Sequence, residues 1–273
     1  MNYRHAFHAG NFADLVKHAA LLQVLDRLST GPGLTVIDTH AGRGLYELEG
    51  PDARRSGEAE AGIAALMLAV DAPPEFASLK AAVRELNSAG AVTRYPGSPW
   101  LIAKALRAQD RCLACELNVG EHAVVAGLLR SHRNVRTACR DGYDALVEAP
   151  ATGRVLALID PPFERADDYA RVVTAFTRLR ARNVEAMALA WLPLKDLETF
   201  DGFLRDLEDE VAAPLLVAET RIRPLDDPMR MNGCALVFVG ELDLERSFAA
   251  ICGWIAQALG AGGGARIYRL PSR

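Results

Sequence analysis

The sequence predicts a doubly wound, mostly parallel α/β sheet, and three observations predict it. Apolar runs of four to eight residues alternate with stretches of helical spacing through most of the chain. Two of the runs, Leu34–Asp38 (LTVID) and Val155–Asp160 (VLALID), are apolar without alternation, as strands buried on both faces are. Both end in an acid and lead into a turn built from glycine or proline.

The elements follow in order. A short polar and aromatic arm, residues 1–12, precedes a helix over Ala13–Leu28, whose Leu15, Val16, Leu22, Leu25 and Leu28 recur at helical spacing. Thr30-Gly31-Pro32-Gly33 stops it, and the strand Leu34–Asp38 runs into the glycine turn Thr39–Gly44. Strands are expected at Arg111–Glu116, Val135–Cys139, Val155–Asp160, Glu185–Leu192, Leu215–Thr220, Cys234–Val239 and Arg266–Leu270. Helices are expected at Val119–Arg130, Tyr143–Glu148, Asp167–Ala181, Lys195–Glu208 and Leu244–Leu259. One interval breaks the rhythm. Between Gly44 and Arg111 no buried strand is legible, only the helical patterns Glu58–Ala69, Pro74–Ser88 and Pro99–Ala108. The first two read as a helical insertion spanning 50–95, within a domain made of 1–49 and 96–273.

The totals restrict the function. The 273 residues, half of them hydrophobic, suffice for one large domain with an insertion. A net charge of −4 excludes a protein coated in positive charge, so any nucleic-acid surface must be local. No leader is visible and no apolar run reaches the ~18 residues of a membrane span. Five cysteines at irregular spacing argue against a disulfide framework and for a reducing, cytoplasmic setting. Cys112 and Cys115 form a CxxC inside a strand pattern with no further ligands at zinc spacing, so they read as core thiols, and no metal is expected.

In a parallel sheet, ligands bind beyond the carboxyl ends of the strands. Four acids fall there: Asp38, Glu116, Asp141 and Asp160. The turn DTHAGRG carries His40, Gly42 and Gly44 but lacks the third glycine of a dinucleotide fingerprint, since Glu47 stands in its place. It suits a ligand without a pyrophosphate, or is a plain strand–helix turn. Glu116 could hold ribose hydroxyls, although the inserted helices set it much farther from the glycines than the usual ~20 residues. Asp141 and Gly142 follow the third strand. The sharpest signal is Asp160-Pro161-Pro162-Phe163. Two prolines make a rigid corner without backbone donors, leaving carbonyls and a carboxylate as acceptors for an amine with two hydrogens. Phe163 offers a ring on which a base can stack.

DPPF after the fourth strand resembles the catalytic motif of N6-adenine and related amino methyltransferases. With YRHAFHAGNFAD-LVKH at 3–18, DTHAGRG at 38–44 and YPGSP at 95–99, nearly the whole chain resembles the J family of 23S ribosomal RNA N6-adenine methyltransferases. The resemblance implies a Rossmann-like class I methyltransferase sheet, S-adenosylmethionine as cofactor, 23S rRNA as partner, and a monomer working without a membrane. It implies cofactor contacts at His18, His40, Ser98, Glu116, Asp141 and Gly142, to which the strand-end pattern adds Asp38, Gly42 and Asp160. It implies the catalytic acceptor at Asp160 and substrate RNA near Tyr3; the chemistry of the corner adds catalytic roles for Pro161 and Phe163, and the basic arm adds Arg4, His5 and His8 toward the RNA. Phe163 stands where the motif more often has tyrosine, which removes any role for that hydroxyl. From the sequence alone, His18 reads as a surface histidine beside Lys17, and Ser98 as a helix cap before Pro99. Further basic residues that could meet RNA are Arg130, Arg133, Arg136, Arg221, Arg223 and Arg230. A DNA adenine-N6 methyltransferase would use the same core, a protein-amide methylase a similar corner, and a non-catalytic RNA-binding module is the reading from a different class.

Overall fold

The computed structural model describes residues 8–50, 57–88, 90–224 and 231–271. Tyr3, Arg4, His5 and Arg230 lie outside them.

An eight-stranded sheet runs in the order β10-β8-β9-β7-β6-β1-β4-β5. Its strands are β1 (Leu34–Asp38), β4 (Arg111–Cys115), β5 (Val135–Ala138), β6 (Arg154–Ile159), β7 (Met187–Leu194), β8 (Leu215–Arg221), β9 (Gly233–Val239) and β10 (Gly264–Leu270). From β5 to β7 the pairs are parallel; β9, β8 and β10 then add in antiparallel fashion. From β1 the chain moves outward to β4 and β5, then returns to β6 on the other side of β1. The switch point therefore lies between β1 and β6, and the carboxyl ends of these two strands flank the crevice where ligands bind in such sheets.

Side chains alternate across the sheet. Leu156 and Leu158 of β6 join the core under α1 (Phe12–Arg27), while Val155, Ala157 and Ile159 join the core under α7 (Asp168–Arg182) and α8 (Leu197–Glu210). Helix α1 is buried on almost every side, and its buried set includes Asp14, Lys17 and His18 as well as Leu15, Val16 and Leu21. The Asn11 side chain caps it by accepting from the Asp14 amide at 3.0 Å. A helix enclosed this way is central to its domain.

The interval after Gly44 holds what the sequence hid. Two three-residue strands, β2 (Leu45–Glu47) and β3 (Arg94–Pro96), form a small two-stranded antiparallel sheet. Each is too short to show a period, and their pairing joins residues remote in sequence. Between them run a π-helical turn, Glu60–Ala64, continued by α2 (Ala65–Leu68), then the 3-10 turn Pro74–Phe76 continued by α3 (Ala77–Leu86). These elements pack into the same core as α1, and Phe76 meets Trp254 of α9 (Glu245–Ala258) edge-on at 5.3 Å. The remaining helices are α4 (Ser98–Ala105), α5 (Val119–Leu129) and α6 (Gly142–Val147). No helix among the described residues is long and apolar enough to cross a membrane.

Candidate active site

The four acids of the sequence analysis do stand along the carboxyl edge. Asp38 ends β1 and is fully buried. The Ser98 hydroxyl donates to its Oδ2 at 2.7 Å, and its Oδ1 has no hydrogen-bond partner among the described residues. Burial, reinforced by the nearby Asp160 charge, outweighs the Ser98 hydrogen bond and pushes the Asp38 carboxyl up to about 7. Ser98 is thus not a side-chain cap of α4; it spends its hydroxyl on Asp38.

Glu116 follows β4 and accepts from two backbone amides, Gly42 at 2.9 Å and Asn118 at 2.7 Å. The first bond ties the glycine turn of β1 to the end of β4. Gly42 has φ +60°, and a Cβ there would come within 2.4 Å of the Tyr46 hydroxyl, so the position needs glycine. Gly142 needs it more strictly, because a Cβ would lie 2.1 Å from the Thr39 carbonyl. This close approach seats the start of α6 against the β1 turn. Asp141 caps α6 through the Tyr143 amide at 2.8 Å and pairs with Arg171 at 2.8 Å. The Arg171 guanidinium lies over the Tyr143 ring at 4.3 Å. His40 bonds Thr39 through Nδ1 at 2.7 Å and meets the Tyr143 ring edge-on. Burial holds its imidazole down to about 4, so it is neutral at physiological pH.

On the other side of the switch point, Asp160 follows β6. Its Oδ2 receives Lys17 Nζ of α1 at 2.5 Å, and Lys17 also pairs with Asp14 at 2.9 Å. Lys17 is 4% exposed. Burial by itself would lower its ammonium, but Asp14 and Asp160 together outweigh that and hold it charged, well above the ordinary lysine value. Phe163 has φ +50°, a left-handed conformation that non-glycine residues seldom adopt and that clusters at functional sites. Its ring lies 4.9 Å from Tyr169 and 6.0 Å from Trp191.

One expectation is corrected. His18 is not a surface residue: it is 1% exposed, stacked on Tyr95 of β3 and bonded to its hydroxyl at 2.7 Å. The inserted segment covers the helix face that the sequence would leave open. Arg130 and Arg133 precede β5, at the amino edge of the sheet, and Arg136 lies on β5 itself, so any RNA they meet is held away from the acid-lined edge. Arg221, at the carboxyl end of β8, is committed to the buried Glu219 at 2.5 Å.

Three residues of this edge escaped the sequence reading. Lys17 was masked by helical spacing, Trp191 by its strand, and Leu117, 56% exposed directly after Glu116, by the absence of any motif. His8 forms a hydrogen-bonded ion pair with Glu58 at 3.0 Å, and Asn11 also donates to Glu58. Ile63 donates to the Gly10 carbonyl at 2.8 Å. The base of the arm is thereby fixed to the inserted segment. Cys112 and Cys115 are buried thiols, the latter pushed up to about 12 by burial.

A parallel sheet with an antiparallel strand wedged between β7 and β8, acids at its carboxyl ends and a glycine turn after β1 define a Rossmann-like class I methyltransferase. The profile of the family described as "Ribosomal RNA large subunit methyltransferase D, RlmJ" matches residues 31–269, and the chain belongs to this family. It is 32% identical over 243 residues to the Haemophilus influenzae protein named ribosomal RNA large subunit methyltransferase J, covering 88% of this chain and 86% of that one. It is 29% identical over 263 residues to the Escherichia coli protein of the same name, covering 95% and 94%. A solved structure of a Legionella pneumophila protein superposes with a TM-score of 0.87 at 25% identity, covering 97% of this chain and 98% of that one.

The protein is therefore a methyltransferase, with S-adenosylmethionine as its cofactor. The β1–β4–β5 end of the edge fits that group. The orphaned Asp38 Oδ1 suits a cationic ligand, and the Glu116 carboxylate, oriented by the Gly42 and Asn118 amides, suits hydroxyl donors.

Proposed function

We propose that the protein methylates the N6 amine of an adenine in 23S rRNA. The observation that carries the reading is the DPPF corner: an acidic acceptor, a donor-free proline turn and an aromatic residue held at positive φ, beside a cofactor crevice. The name shared by the two bacterial relatives supports ribosomal RNA as the substrate.

The roles follow from the chemistry of the groups. Glu116 takes the ribose hydroxyls of the cofactor, with its carboxylate pre-oriented by the Gly42 and Asn118 amides. Leu117 offers an apolar face to the cofactor's adenine, and Asp141 and Gly142 border it. Asp38, His40 and Ser98 face the methionine end, and His18 supports the same wall through Tyr95. When bound, S-adenosylmethionine supplies a methyl group already activated on a sulfonium. The protein's work is then alignment and charge placement. The N6 lone pair is delocalised into the purine, so the amine is a weak nucleophile. Asp160 Oδ1 and the Pro161 carbonyl accept its two hydrogens and favour a pyramidal nitrogen. Lys17 holds Asp160 Oδ2, which fixes the carboxylate plane and leaves Oδ1 for the amine. As nitrogen gains positive charge, the Asp160 carboxylate stabilises it and receives the departing proton at Oδ1. Phe163 stacks on the base.

Tyr3, Arg4, His5 and His8 of the arm contact the RNA. The bonds from His8 to Glu58 and between Ile63 and Gly10 support a role for the insertion, residues 50–95, as a wall of the RNA pocket. The same reading keeps 1–49 and 96–273 as the catalytic domain, acting as a cytoplasmic monomer. No observation favours duplex DNA, a protein amide or a non-catalytic role. The test is incubation with labelled S-adenosylmethionine and either a 23S rRNA transcript or duplex DNA, followed by digestion and mass spectrometry. N6-methyladenosine in the RNA arm alone is expected; label in DNA alone, or in neither, overturns the proposal.

A further inference from the structure

An acceptor corner for an amine with two hydrogens does not by itself distinguish adenine from cytosine, whose N4 amine has the same donors. Something must measure the size of the ring behind the amine. Resting on the function proposed above, we infer that Trp191 is this gauge: it forms the far wall of the target-base pocket and holds a purine, but not a pyrimidine, against the Asp160 acceptor.

The register of the sheet brings the two residues side by side. β6 and β7 pair in parallel with Ile159 opposite Ala190, so Asp160 and Trp191 are the next step of the same ladder. Alternation sends both side chains to the same face. Leu156 and Leu158 of β6, and Met187 and Leu189 of β7, lie in the core under α1. Asp160 and Trp191 continue those two rows, and the bond from Lys17 of α1 to Asp160 agrees with that direction. Trp191 is only partly buried, although its strand neighbours Ala190 and Leu192 are fully buried. Its indole meets the Phe163 ring edge-on, with centroids 6.0 Å apart and planes at 66°. Phe163 and Trp191 thus form two walls of a corner whose third side is the Asp160 carboxylate. A base stacked flat on Phe163 presents its edge to the indole. Aromatic rings favour this edge-to-face approach. On this inference a purine held at the Asp160 acceptor reaches the indole, whereas the smaller pyrimidine ring leaves it uncontacted and its amine is not pressed into line.

Trp191 is therefore a positioning residue, and the readouts follow. Trp191→Ala should lower kcat/KM on a 23S rRNA transcript about tenfold or more, the worth of one base–aromatic contact, chiefly through kcat. Trp191→Phe should stay within about threefold of the wild type. Cofactor affinity by calorimetry should be unchanged in both. The preference for adenine over cytosine at the target nucleotide should fall about tenfold in Trp191→Ala. A spectroscopic arm is independent of turnover: adenosine monophosphate should quench tryptophan fluorescence in the wild type with cofactor present, and that quench should vanish in Trp191→Phe, which leaves Trp100 and Trp254 in place. A folded Trp191→Ala with normal kcat/KM and normal base preference overturns the inference, as does an undiminished quench in Trp191→Phe. If Trp191→Ala does not fold, Trp191→Phe and the quench decide. A wild-type enzyme inactive on rRNA would overturn the substrate assignment instead, and the quench would still report whether the indole lines a base site.

Discussion

The two halves of the carboxyl edge are built in different ways. On the β1–β4–β5 half, each acid is fixed by backbone amides or a hydroxyl close at hand: Glu116 by Gly42 and Asn118, Asp141 by Tyr143, Asp38 by Ser98. Glycines at positions 42 and 142 let these turns pack closely against Tyr46 and the Thr39 backbone. This half consists of strand ends and the turns that follow them. On the β6–β7 half, the acid is fixed by an ammonium from a helix 143 residues earlier, and the aromatic walls come from a strained turn and a neighbouring strand. The first half is tied by hydrogen bonds between the turns at neighbouring strand ends and the start of α4; the second is held by an ion pair from α1 and by aromatic packing. On the function proposed above, the cofactor takes the first half, and selection and alignment of the base fall to the second.

Substitutions at Asp160 test the comparison most severely. Asp160→Ala should nearly abolish single-turnover methylation of a 23S rRNA transcript while leaving cofactor affinity largely intact, since the cofactor half does not depend on it. Asp160→Asn should fall close to Ala, because it keeps one acceptor oxygen but lacks the charge that stabilises the cationic nitrogen. A fully active Asp160→Ala would falsify the assignment of this edge as an amine-methylating site. Lys17→Met comes next. It leaves Asp14 and Asp160 as buried or half-buried carboxylates without their shared cation, which should destabilise the fold by roughly 3 kcal/mol. Turnover should fall about a hundredfold as the Asp160 carboxylate loses its fixed plane. Wild-type turnover with a lowered melting temperature would reduce Lys17 to a purely structural ion pair.

The same difference in construction explains what could be read from the sequence. Asp38, Glu116, Asp141 and the DPPF corner were legible because each sits at a strand end, which the strand pattern locates, and all but Glu116 adjoin a glycine or proline turn. Lys17 was not legible: on a helix buried on almost every side, a lysine at helical spacing looks like a solvated one. His18 failed for the same reason, since its cover is supplied by the inserted segment and by Tyr95. The two-stranded sheet β2–β3 left no period in three residues a side. Trp191 reads as one more apolar residue of a strand, and only the register reveals that it continues the row of Asp160.

Within the cofactor half, Glu116→Ala sharpens the comparison at smaller amplitude. It removes a charged acceptor for hydroxyls and unties the Gly42 turn, so cofactor binding should weaken by about 1.5–3 kcal/mol by calorimetry. Turnover at saturating cofactor should change little, because the base-aligning half is untouched. Unchanged affinity in a folded variant would remove Glu116 from the ribose site.

Asp38 provides the finest test, because its ionisation is set by burial within this half. Its carboxyl is raised from 3.8 to about 7. The sign of the linkage follows. Below about pH 4 both folded and unfolded chains hold the proton, and nothing is lost. Between about pH 4 and 7 the unfolded chain releases it while the folded chain retains it, so stability falls as pH rises and levels off above about 7. Asp38→Asn, which cannot ionise, should lack this decline, and thermal melts from pH 5 to 8 without cofactor should separate the two proteins increasingly toward pH 8. Cofactor affinity should move the other way. A cationic ligand facing Oδ1 favours the carboxylate, and the ionised fraction rises about tenfold between pH 6 and 8 for a group titrating near 7, so apparent affinity should rise by up to about tenfold over that range. His40, held near 4, does not titrate in this window. Affinity that is flat with pH in the wild type, or that rises equally in Asp38→Asn, would show that the buried carboxylate does not face the cofactor's positive charge.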